Sequence, residues 1–121
     1  MALIVAVSFS PETPANQESF YTEQFIEQRR ELTPREYLRY LTTKEEFAIL
    51  DKIIICESNW NPEAKNVNST ASGLLQFLES TWNNWGEDDV FNPYSNIIAG
   101  VKLYRAQGTK PWESSRQCWS V

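Results

Sequence analysis

The sequence predicts a small, mainly α domain of the α+β class, in which the non-helical part is one short loop or β-hairpin region. Two capping boxes indicate helix starts at Thr33 and at Thr43, because each threonine is followed three residues later by a glutamate. Asn92, followed directly by a proline, marks a third helix start. Residues 66–73 (NVNSTASG) lie between these helices and are rich in turn formers, which favours a loop or a small hairpin.

Composition limits the functions that the chain can have. Its 121 residues suit a single core, and 41% hydrophobic against 22% charged residues predict a folded globule. The net charge is −5 and no basic patch emerges, so nucleic acid is not expected as a partner. The absence of histidine excludes His-based triads, His metal sites and a His general base. No CxxC motif or Cys/His cluster is present either, and we expect no metal or other cofactor.

The first 32 residues are set apart from the rest of the chain. Residues 1–10 form an apolar run that is too short to span a membrane and lacks basic residues, so it is a signal-peptide remnant, a strand or a disordered tail. Residues 11–17 are typical of a linker, and residues 18–32 of a helix with a sparse apolar stripe. We therefore expect an N-terminal tail and helical extension at 1–32 and a folded domain at 33–121.

The longest helix of the folded domain is predicted over residues 44–59, a length of about 24 Å. Because Pro62 disfavours the α conformation in the residue before it, the helix is expected to stop at Asn61 and Pro62. Apolar residues recur at helical spacing on one face and should form the centre of the core. They are Phe47, Leu50, Ile53 and Ile54.

Two further helices are predicted after the turn-rich region. The first covers Glu79–Trp85 and is ended by Gly86 at a C′ position. The second begins after the cap at Asn92 and is ended by Gly108. Residues 110–119 contain aromatic residues and a cysteine but little periodicity, so no regular element is predicted there.

Glu57 is the residue whose position most suggests catalysis. The residues three, four and seven positions before it are Ile54, Ile53 and Leu50, so its carboxylate interrupts an apolar helix face. Desolvation and the negative end of the helix dipole would both raise its pKa. A glutamate that is protonated near neutral pH is suited to general acid catalysis. The alternative is a carboxylate that faces outward at a frayed helix end.

The two cysteines, Cys56 and Cys118, lie at opposite ends of the presumed core. A disulfide between them would close a loop of about 63 residues and stabilise the fold by roughly 4 kcal/mol in the chain-entropy model. It would also anchor the irregular C-terminal segment beside Glu57. The alternative is a pair of buried free thiols in a cytosolic protein. We favour the disulfide, which implies an extracytoplasmic location.

Three motifs follow one another along residues 43–119. They are residues 56–64 (CESNWNPEA), residues 73–82 (GLLQFLESTW) and residues 92–100 (NPYSNIIAG). In this order they resemble the ES-x-[FW]-NP-x-A, GL-x-QF-x-x-[ST]-TW and [DN]P-x-x-NI-x-AG motifs of soluble, SLT-type lytic transglycosylases. The resemblance implies a lysozyme-like fold whose loop or hairpin region lines a cleft. Residues 1–32 have no counterpart in it.

The resemblance implies that Glu57 is the catalytic acid and base. In the family, this glutamate protonates the glycosidic oxygen between N-acetylmuramic acid and N-acetylglucosamine. It then acts as a base while the muramic C6 hydroxyl closes a 1,6-anhydro ring without water. This chemistry needs one carboxylate, whereas most glycosidases use two. Asp88 and Asp89 are the candidates for a second one, although an acidic loop is more often simply solvated.

The resemblance also implies four substrate-binding residues. Gln76 matches the glutamine that lines the family's cleft, with a surface position as the alternative. Asn66 stands where many members have a cleft serine. Asn96 matches the asparagine that opens the last family helix, where capping or packing is an equal alternative to sugar contact. Most members have a cleft tyrosine at the position of Leu103, and here Tyr104 follows one residue later.

The function implied is cleavage of peptidoglycan by a lytic transglycosylase. One alternative keeps the fold and is a lysozyme-type hydrolase of the same bond, in which Asp88 or Asp89 positions a water. The other is a catalytically weak module that binds glycan or assists wall assembly. We expect peptidoglycan glycan strands as the partner, no membrane span and a monomer. The expected location is extracytoplasmic, whether secreted, periplasmic or phage-associated.

Overall fold

Five α-helices and one 3-10 helix form the part of the chain that the computed structural model describes, residues 31–121. They are α1 (Pro34–Leu41), α2 (Lys44–Ser58), α3 (Glu79–Trp85), α4 (Pro93–Gln107), the 3-10 helix (Lys110–Ser115) and α5 (Arg116–Trp119). The mainly helical class is thus confirmed. The predicted apolar run, the linker and nearly all of the predicted helix at 18–32 lie outside the described residues. No helix within residues 31–121 is long and apolar enough to cross a membrane.

The capping box predicted for α2 is present. The Thr43 hydroxyl accepts a 3.1 Å hydrogen bond from the Glu46 N–H, and the Glu46 carboxylate accepts one of 3.0 Å from the Thr43 N–H. The helix ends earlier than predicted, at Ser58, because Asn59 adopts the left-handed conformation with φ 52°. Its N–H bonds to the carbonyls of two residues in the last turn. Asparagine tolerates this conformation better than most residues, so the stop does not depend on Pro62.

The core forms where α1 packs against both α2 and α4. The apolar face of α2 is buried as predicted, and Leu50, Ile53 and Ile54 are fully inaccessible to solvent. Burial of each such side chain contributes about 1.5–3 kcal/mol of transfer free energy. The loop before α3 adds the buried Leu74, Leu75 and Phe77, and the other helices supply further large core residues, which include Tyr37, Leu38, Ile97, Val101 and Leu103.

Both later helices occupy the predicted residues. At the start of α4, the Asn92 side chain accepts hydrogen bonds from the N–H groups of Tyr94 and Ser95 at 2.9 and 3.2 Å. Gly108 ends α4 with φ 67°. Gly86 ends α3 in an extended conformation, with φ −97°. The need for a left-handed conformation therefore does not explain the glycine at this position. A Cβ at this position would lie 2.2 Å from the Trp82 ring, and glycine is therefore needed for space.

The segment between α2 and α3 is a loop. The described residues contain no β-strand, and only two isolated antiparallel bridges form, Lys65 with Ser72 and Ser72 with Phe77. Of the two structures expected for residues 66–73, the loop is the one observed. At Gly73 the backbone takes φ 81°, and a Cβ there would come within 2.4 Å of the Asn96 amide nitrogen. The loop can therefore pass this close to α4 only with glycine at position 73.

The C-terminal segment folds into the 3-10 helix and α5, two short elements that were not predicted. Both pack against α2, and their indoles Trp112 and Trp119 are buried. The Trp112 N–H donates a 3.0 Å hydrogen bond to the Leu75 carbonyl, which joins this segment to the loop before α3. The predicted disulfide is confirmed, with the Cα atoms of Cys56 and Cys118 6.0 Å apart. It ties α5 to the end of α2.

Candidate active site

The Glu57 carboxylate lies at the end of α2, one residue before the helix stops. The side chain is half-buried above the inaccessible Ile53 and Ile54, as the spacing of the apolar residues predicted. Burial raises the pKa of Glu57 above its ordinary value, and a hydrogen bond from Ser115 partly offsets this rise. No charged side chain of the described residues is among the causes of the shift. Glu57 is thus an isolated carboxyl group whose protonated form is favoured.

Ser115 is the polar partner of this carboxylate. Its hydroxyl lies 2.5 Å from Oε2 of Glu57 and 3.1 Å from the carbonyl oxygen of Trp112. The indole N–H of Trp119 contacts the same hydroxyl oxygen at 3.1 Å. Sequence reasoning missed Ser115, because residues 110–119 have little periodicity. The Cys56–Cys118 pairing was the available signal, since it brings residues 115–119 beside Glu57.

A second polar cluster holds the turn that follows Glu57. Asp51, buried within α2, accepts hydrogen bonds from Arg35 at 3.0 and 2.7 Å and from the Trp60 indole at 2.9 Å. The pKa of the Asp51 carboxyl is lowered overall, chiefly by the hydrogen bond from Arg35. Burial acts in the opposite direction, and the hydrogen bond from Trp60 lowers the pKa further. Asn59 and Trp60 both have positive φ, 52° and 61°, in the left-handed region that non-glycine residues seldom adopt. The hydrogen bond to Asp51 therefore supports a strained turn directly after Glu57.

Gln76 is anchored in the loop by its amide nitrogen. This nitrogen donates hydrogen bonds to the carbonyl oxygens of Ala64 at 3.2 Å and Gly73 at 2.9 Å. The backbone of Gln76 is also left-handed, with φ 53°. Since the nitrogen is committed to the protein, the amide oxygen is the group available to accept a hydrogen bond from a ligand.

Gln76 lines a cavity of about 390 Å³, which is within the range of small-ligand sites. The lining comes from the segment before α3, from α3 and α4, and from the 3-10 helix. Its other members are Leu75, Phe77, Leu78, Ser80, Thr81, Asn84, Trp85, Leu103, Gln107, Pro111 and Trp112. Glu57 is not part of this lining. Trp112 lines the cavity, and its carbonyl contacts the hydroxyl that binds Glu57, so the two features adjoin through the 3-10 helix.

Asn96 is fully buried, and both ends of its amide are engaged. The oxygen accepts a 2.9 Å hydrogen bond from the Leu75 N–H, and the nitrogen donates one of 2.9 Å to the Val90 carbonyl. These two contacts fasten the loops on either side of α3 to α4. Of the two roles expected for this residue, packing is the one for which the structure provides contacts, and no surface of the side chain is exposed to a sugar.

The other two residues expected to bind substrate lie outside the cavity lining. Asn66 is exposed, and its side-chain oxygen accepts a 2.7 Å hydrogen bond from the Asn68 N–H, which shapes the loop. Tyr104 is half-buried on α4. The residue before it, Leu103, is 2% exposed and lines the cavity. At the position where the resemblance implies a cleft tyrosine, this chain thus contributes an apolar side chain to the cavity wall.

The acidic loop offers little as a source of a second carboxylate. Asp88 and Asp89 are both exposed. Asp89 accepts a 2.9 Å hydrogen bond from the Phe91 N–H, and the Asp88 carbonyl accepts one of 3.1 Å from the Trp82 indole. Neither aspartate contributes to the pKa shift of Glu57. Within the described residues, no cluster of three or more candidate ligands could hold a metal ion.

Comparison with known protein families finds a match, which covers most of the described residues. A sequence model of the transglycosylase SLT domain matches residues 40–116, well over half of the chain. The chain belongs to the transglycosylase SLT domain family. The matched region of this SLT domain begins in α1 and ends at the first residue of α5, so it includes Glu57, Gln76 and Ser115. No match was found among curated proteins or among solved structures.

Membership of the family has consequences at a general level. The SLT domain is lysozyme-like and is associated with transglycosylases that cleave glycosidic bonds in peptidoglycan. Its substrate lies outside the cytoplasm, and the Cys56–Cys118 disulfide is compatible with that environment.

Proposed function

We propose that this SLT domain is a lytic transglycosylase that breaks the β-1,4 bond between N-acetylmuramic acid and N-acetylglucosamine. The observation that carries the proposal is the half-buried Glu57 carboxyl, whose pKa is raised by burial without a contribution from any charged side chain of the described residues. A raised pKa favours the protonated form of the group, which the first step of the reaction requires. An isolated carboxylate suits a mechanism in which one residue is acid and then base.

The reaction has two proton transfers, and Glu57 performs both. In the first, its carboxyl proton moves to the glycosidic oxygen while the bond from this oxygen to C1 of the muramic residue breaks. In the second, the Glu57 carboxylate takes the proton of the muramic C6 hydroxyl while O6 bonds to C1. The products are a glycan with a new 4-hydroxyl end and one with a 1,6-anhydromuramic end. Water is not consumed, and Glu57 returns to its protonated form.

The cavity beside the 3-10 helix is the proposed position of part of the glycan strand. Gln76 would accept a hydrogen bond there through its free amide oxygen, while the half-buried Trp85 would provide aromatic surface for a sugar face. The exposed Asn66 and the half-buried Tyr104 remain proposed contacts outside the cavity lining. Asn96 would act indirectly, because its side chain accepts a hydrogen bond from Leu75 and so holds the loop that also contains Gln76.

The hydrolase alternative has weaker support. It requires a second carboxylate or a group that holds a water at the scissile bond. Asp88 and Asp89 are exposed, and the Asp89 carboxylate accepts a hydrogen bond from its own loop. A non-catalytic glycan-binding module would not need a carboxyl group with a raised pKa, although the cavity alone would serve it.

Mass spectrometry of digested peptidoglycan distinguishes these functions. Purified sacculi are incubated with the disulfide-intact protein, and the soluble muropeptides are analysed without reduction. We expect 1,6-anhydromuramic ends, which are lighter than hydrolysed ends by one water. Reducing ends would instead indicate the hydrolase. Binding to sacculi without release of fragments would indicate the glycan-binding module.

The setting that we propose is extracytoplasmic, in a secreted, periplasmic or phage-associated protein that acts as a monomer on glycan strands. The peptidoglycan substrate of the family and the disulfide support this location. Size-exclusion chromatography with light scattering would test the monomer.

A further inference from the structure

The hydroxyl of Ser115 lies among three groups at the end of α2. It is 2.5 Å from Glu57 Oε2, 3.1 Å from the Trp112 carbonyl oxygen and 3.1 Å from the Trp119 indole nitrogen. Ser115 is the last residue of the 3-10 helix and is separated from Glu57 by 58 positions along the chain. Within residues 31–121, this contact is the hydrogen bond that the Glu57 carboxylate accepts.

The direction of these hydrogen bonds follows from the protons available. An indole N–H can only donate, so Trp119 occupies a lone pair of the serine oxygen. A carbonyl oxygen can only accept, and the single hydroxyl proton of Ser115 must therefore choose between Trp112 and Glu57. The carboxylate oxygen is closer by 0.6 Å, at 2.5 against 3.1 Å, and is the stronger acceptor when ionised. When Glu57 is ionised, the Ser115 hydroxyl thus donates to its Oε2.

We propose that Ser115 is a positioning residue that holds Oε2 of Glu57 as an acceptor and leaves Oε1 to exchange the proton with the glycan. This inference rests on the proposed function of Glu57 as acid and base. Oε2 accepts the serine proton, so the proton that Glu57 transfers is carried on Oε1. No hydrogen bond within the described residues engages Oε1.

Other residues of the C-terminal segment hold the Ser115 side chain in place. The Trp119 indole is 5% exposed and is shared between the Ser115 hydroxyl and the Trp112 carbonyl, each at 3.1 Å. The disulfide joins Cys118, next to Trp119, with Cys56, next to Glu57. The serine is thereby fixed before substrate binds, and little reorganisation is needed as charge appears on Glu57.

The same hydrogen bond adjusts the acidity of the catalytic group. Burial raises the pKa of Glu57, and donation from Ser115 stabilises the ionised form and lowers it in part. A group that acts as acid and then as base needs a pKa between the two extremes. Ser115 therefore limits the rise in pKa that burial causes.

Charged neighbours do not provide this adjustment. The 3-10 helix and α5 contribute Lys110, Glu113 and Arg116, and the last two pair with each other at 2.8 Å. On the side of α1, Arg35 pairs with Asp51 at 2.7 Å. None of these groups is among the causes of the Glu57 shift.

The test compares Ser115→Ala with two matched variants. Ser115→Thr keeps a hydroxyl at the same position, and Ser114→Ala removes an exposed hydroxyl one residue away. For each folded, disulfide-intact protein, the pKa of Glu57 is measured by carbon-detected NMR titration of its carboxyl group, and turnover on peptidoglycan is measured against pH.

We expect Ser115→Ala to raise the pKa of Glu57 and to move the alkaline limb of the pH–rate profile upward. Its kcat should fall by roughly 10-fold to 100-fold, the loss expected for one hydrogen bond to a charged group, with little change in KM. Ser115→Thr should restore most of the rate and the pKa. Ser114→Ala should match the unmodified protein in both measurements.

Two results would overturn the proposal. One is an unchanged pKa of Glu57 in folded Ser115→Ala, and the other is an equal loss of rate in Ser115→Thr and Ser115→Ala. If Ser115→Ala does not fold, Trp119→Phe replaces it, because this variant keeps an aromatic ring but removes the N–H that orients the hydroxyl. An unshifted pKa in that variant would equally overturn the proposal. The NMR titration needs no turnover, so it decides the role of Ser115 even if the unmodified protein releases no fragments and the proposed function fails.

Discussion

The indole N–H of Trp60 donates a 2.9 Å hydrogen bond to Oδ1 of Asp51, nine residues earlier in the chain. This bond folds the turn after Glu57 back onto the middle of α2. Asp51 also pairs with Arg35 of α1, so one buried carboxylate joins two helices and the turn. Asp51 and the disulfide thus both hold the end of α2 that bears Glu57.

Trp60→Phe removes this N–H and keeps an aromatic ring. We expect a loss of about 1 kcal/mol in the free energy of unfolding, because Asp51 loses one donor and retains Arg35. Urea unfolding measures this loss. Trp82→Phe is the matched control, since it removes an indole hydrogen bond to a backbone carbonyl elsewhere. A Trp60→Phe variant as stable as the unmodified protein would show that the contact does not support the turn.

Glu57→Gln keeps the shape of the side chain and can still accept the Ser115 hydroxyl proton, but it cannot transfer a proton. We expect peptidoglycan turnover to fall by about 10²- to 10⁴-fold while binding to sacculi persists. Glu63→Gln makes the same change at an exposed glutamate six residues later and should leave turnover unaltered. Near-native turnover by folded Glu57→Gln would eliminate Glu57 as the catalytic residue.

Glu57 also makes stability depend on pH. Its pKa is raised in the folded protein by burial, so its contribution to stability is full below the ordinary value of 4.5 and is lost as pH rises through the folded pKa. Glu57→Gln does not ionise and escapes this loss. The Tm of the variant minus that of the unmodified protein should therefore increase between acidic and neutral pH. A constant difference across this range would mean that Glu57 has the same pKa in the folded and in the unfolded protein.

Glu46 should have the opposite pH dependence. Its hydrogen bond with Arg105, at 2.9 Å, is the largest cause of a pKa lowered to about 2. The stabilisation is present above the ordinary value of 4.5 and is lost as pH falls towards about 2. Glu46→Gln keeps the capping box and removes the charge. Because the Arg105 side chain is exposed, we expect a loss of at most about 1 kcal/mol at neutral pH, which disappears near pH 2 when Tm is measured across this range.

The disulfide should matter for both stability and rate. Replacing Cys56 and Cys118 together by serine removes the constraint on a long loop, with an expected loss of about 4 kcal/mol in the free energy of unfolding. It also releases α5, so Ser115 should position Glu57 less well and turnover should fall. Reduction of the unmodified protein, monitored by thiol counting, is the parallel experiment. Full turnover with the disulfide open would show that the covalent link is not needed for the site.

The helices of this domain follow from the sequence because their signals are local. The Thr43 and Glu46 capping box, the Asn92 cap and the Gly108 stop each involve groups within four residues of one another. The position of Glu57 above Ile53 and Ile54 is likewise set by helical periodicity. Even the early end of α2 is local, since it depends on the left-handed conformation of Asn59.

The contacts around Glu57 were decided by the tertiary structure. Ser115 lies 58 positions after Glu57 in the chain, and no periodic pattern in residues 110–119 predicts its contact with the carboxylate. Asn96 belongs to a family motif, but the motif does not tell whether its side chain contacts a sugar or bonds to the protein backbone. The close approach of Gly73 to α4 decides this, because it buries the Asn96 amide against the loop backbone. The sequence by itself determined the helices, the face that bears Glu57 and the pair of cysteines that could bond, because these depend on neighbours along the chain. Only the fold decided which distant hydroxyl binds the carboxylate, because burial and hydrogen bonding depend on neighbours in space.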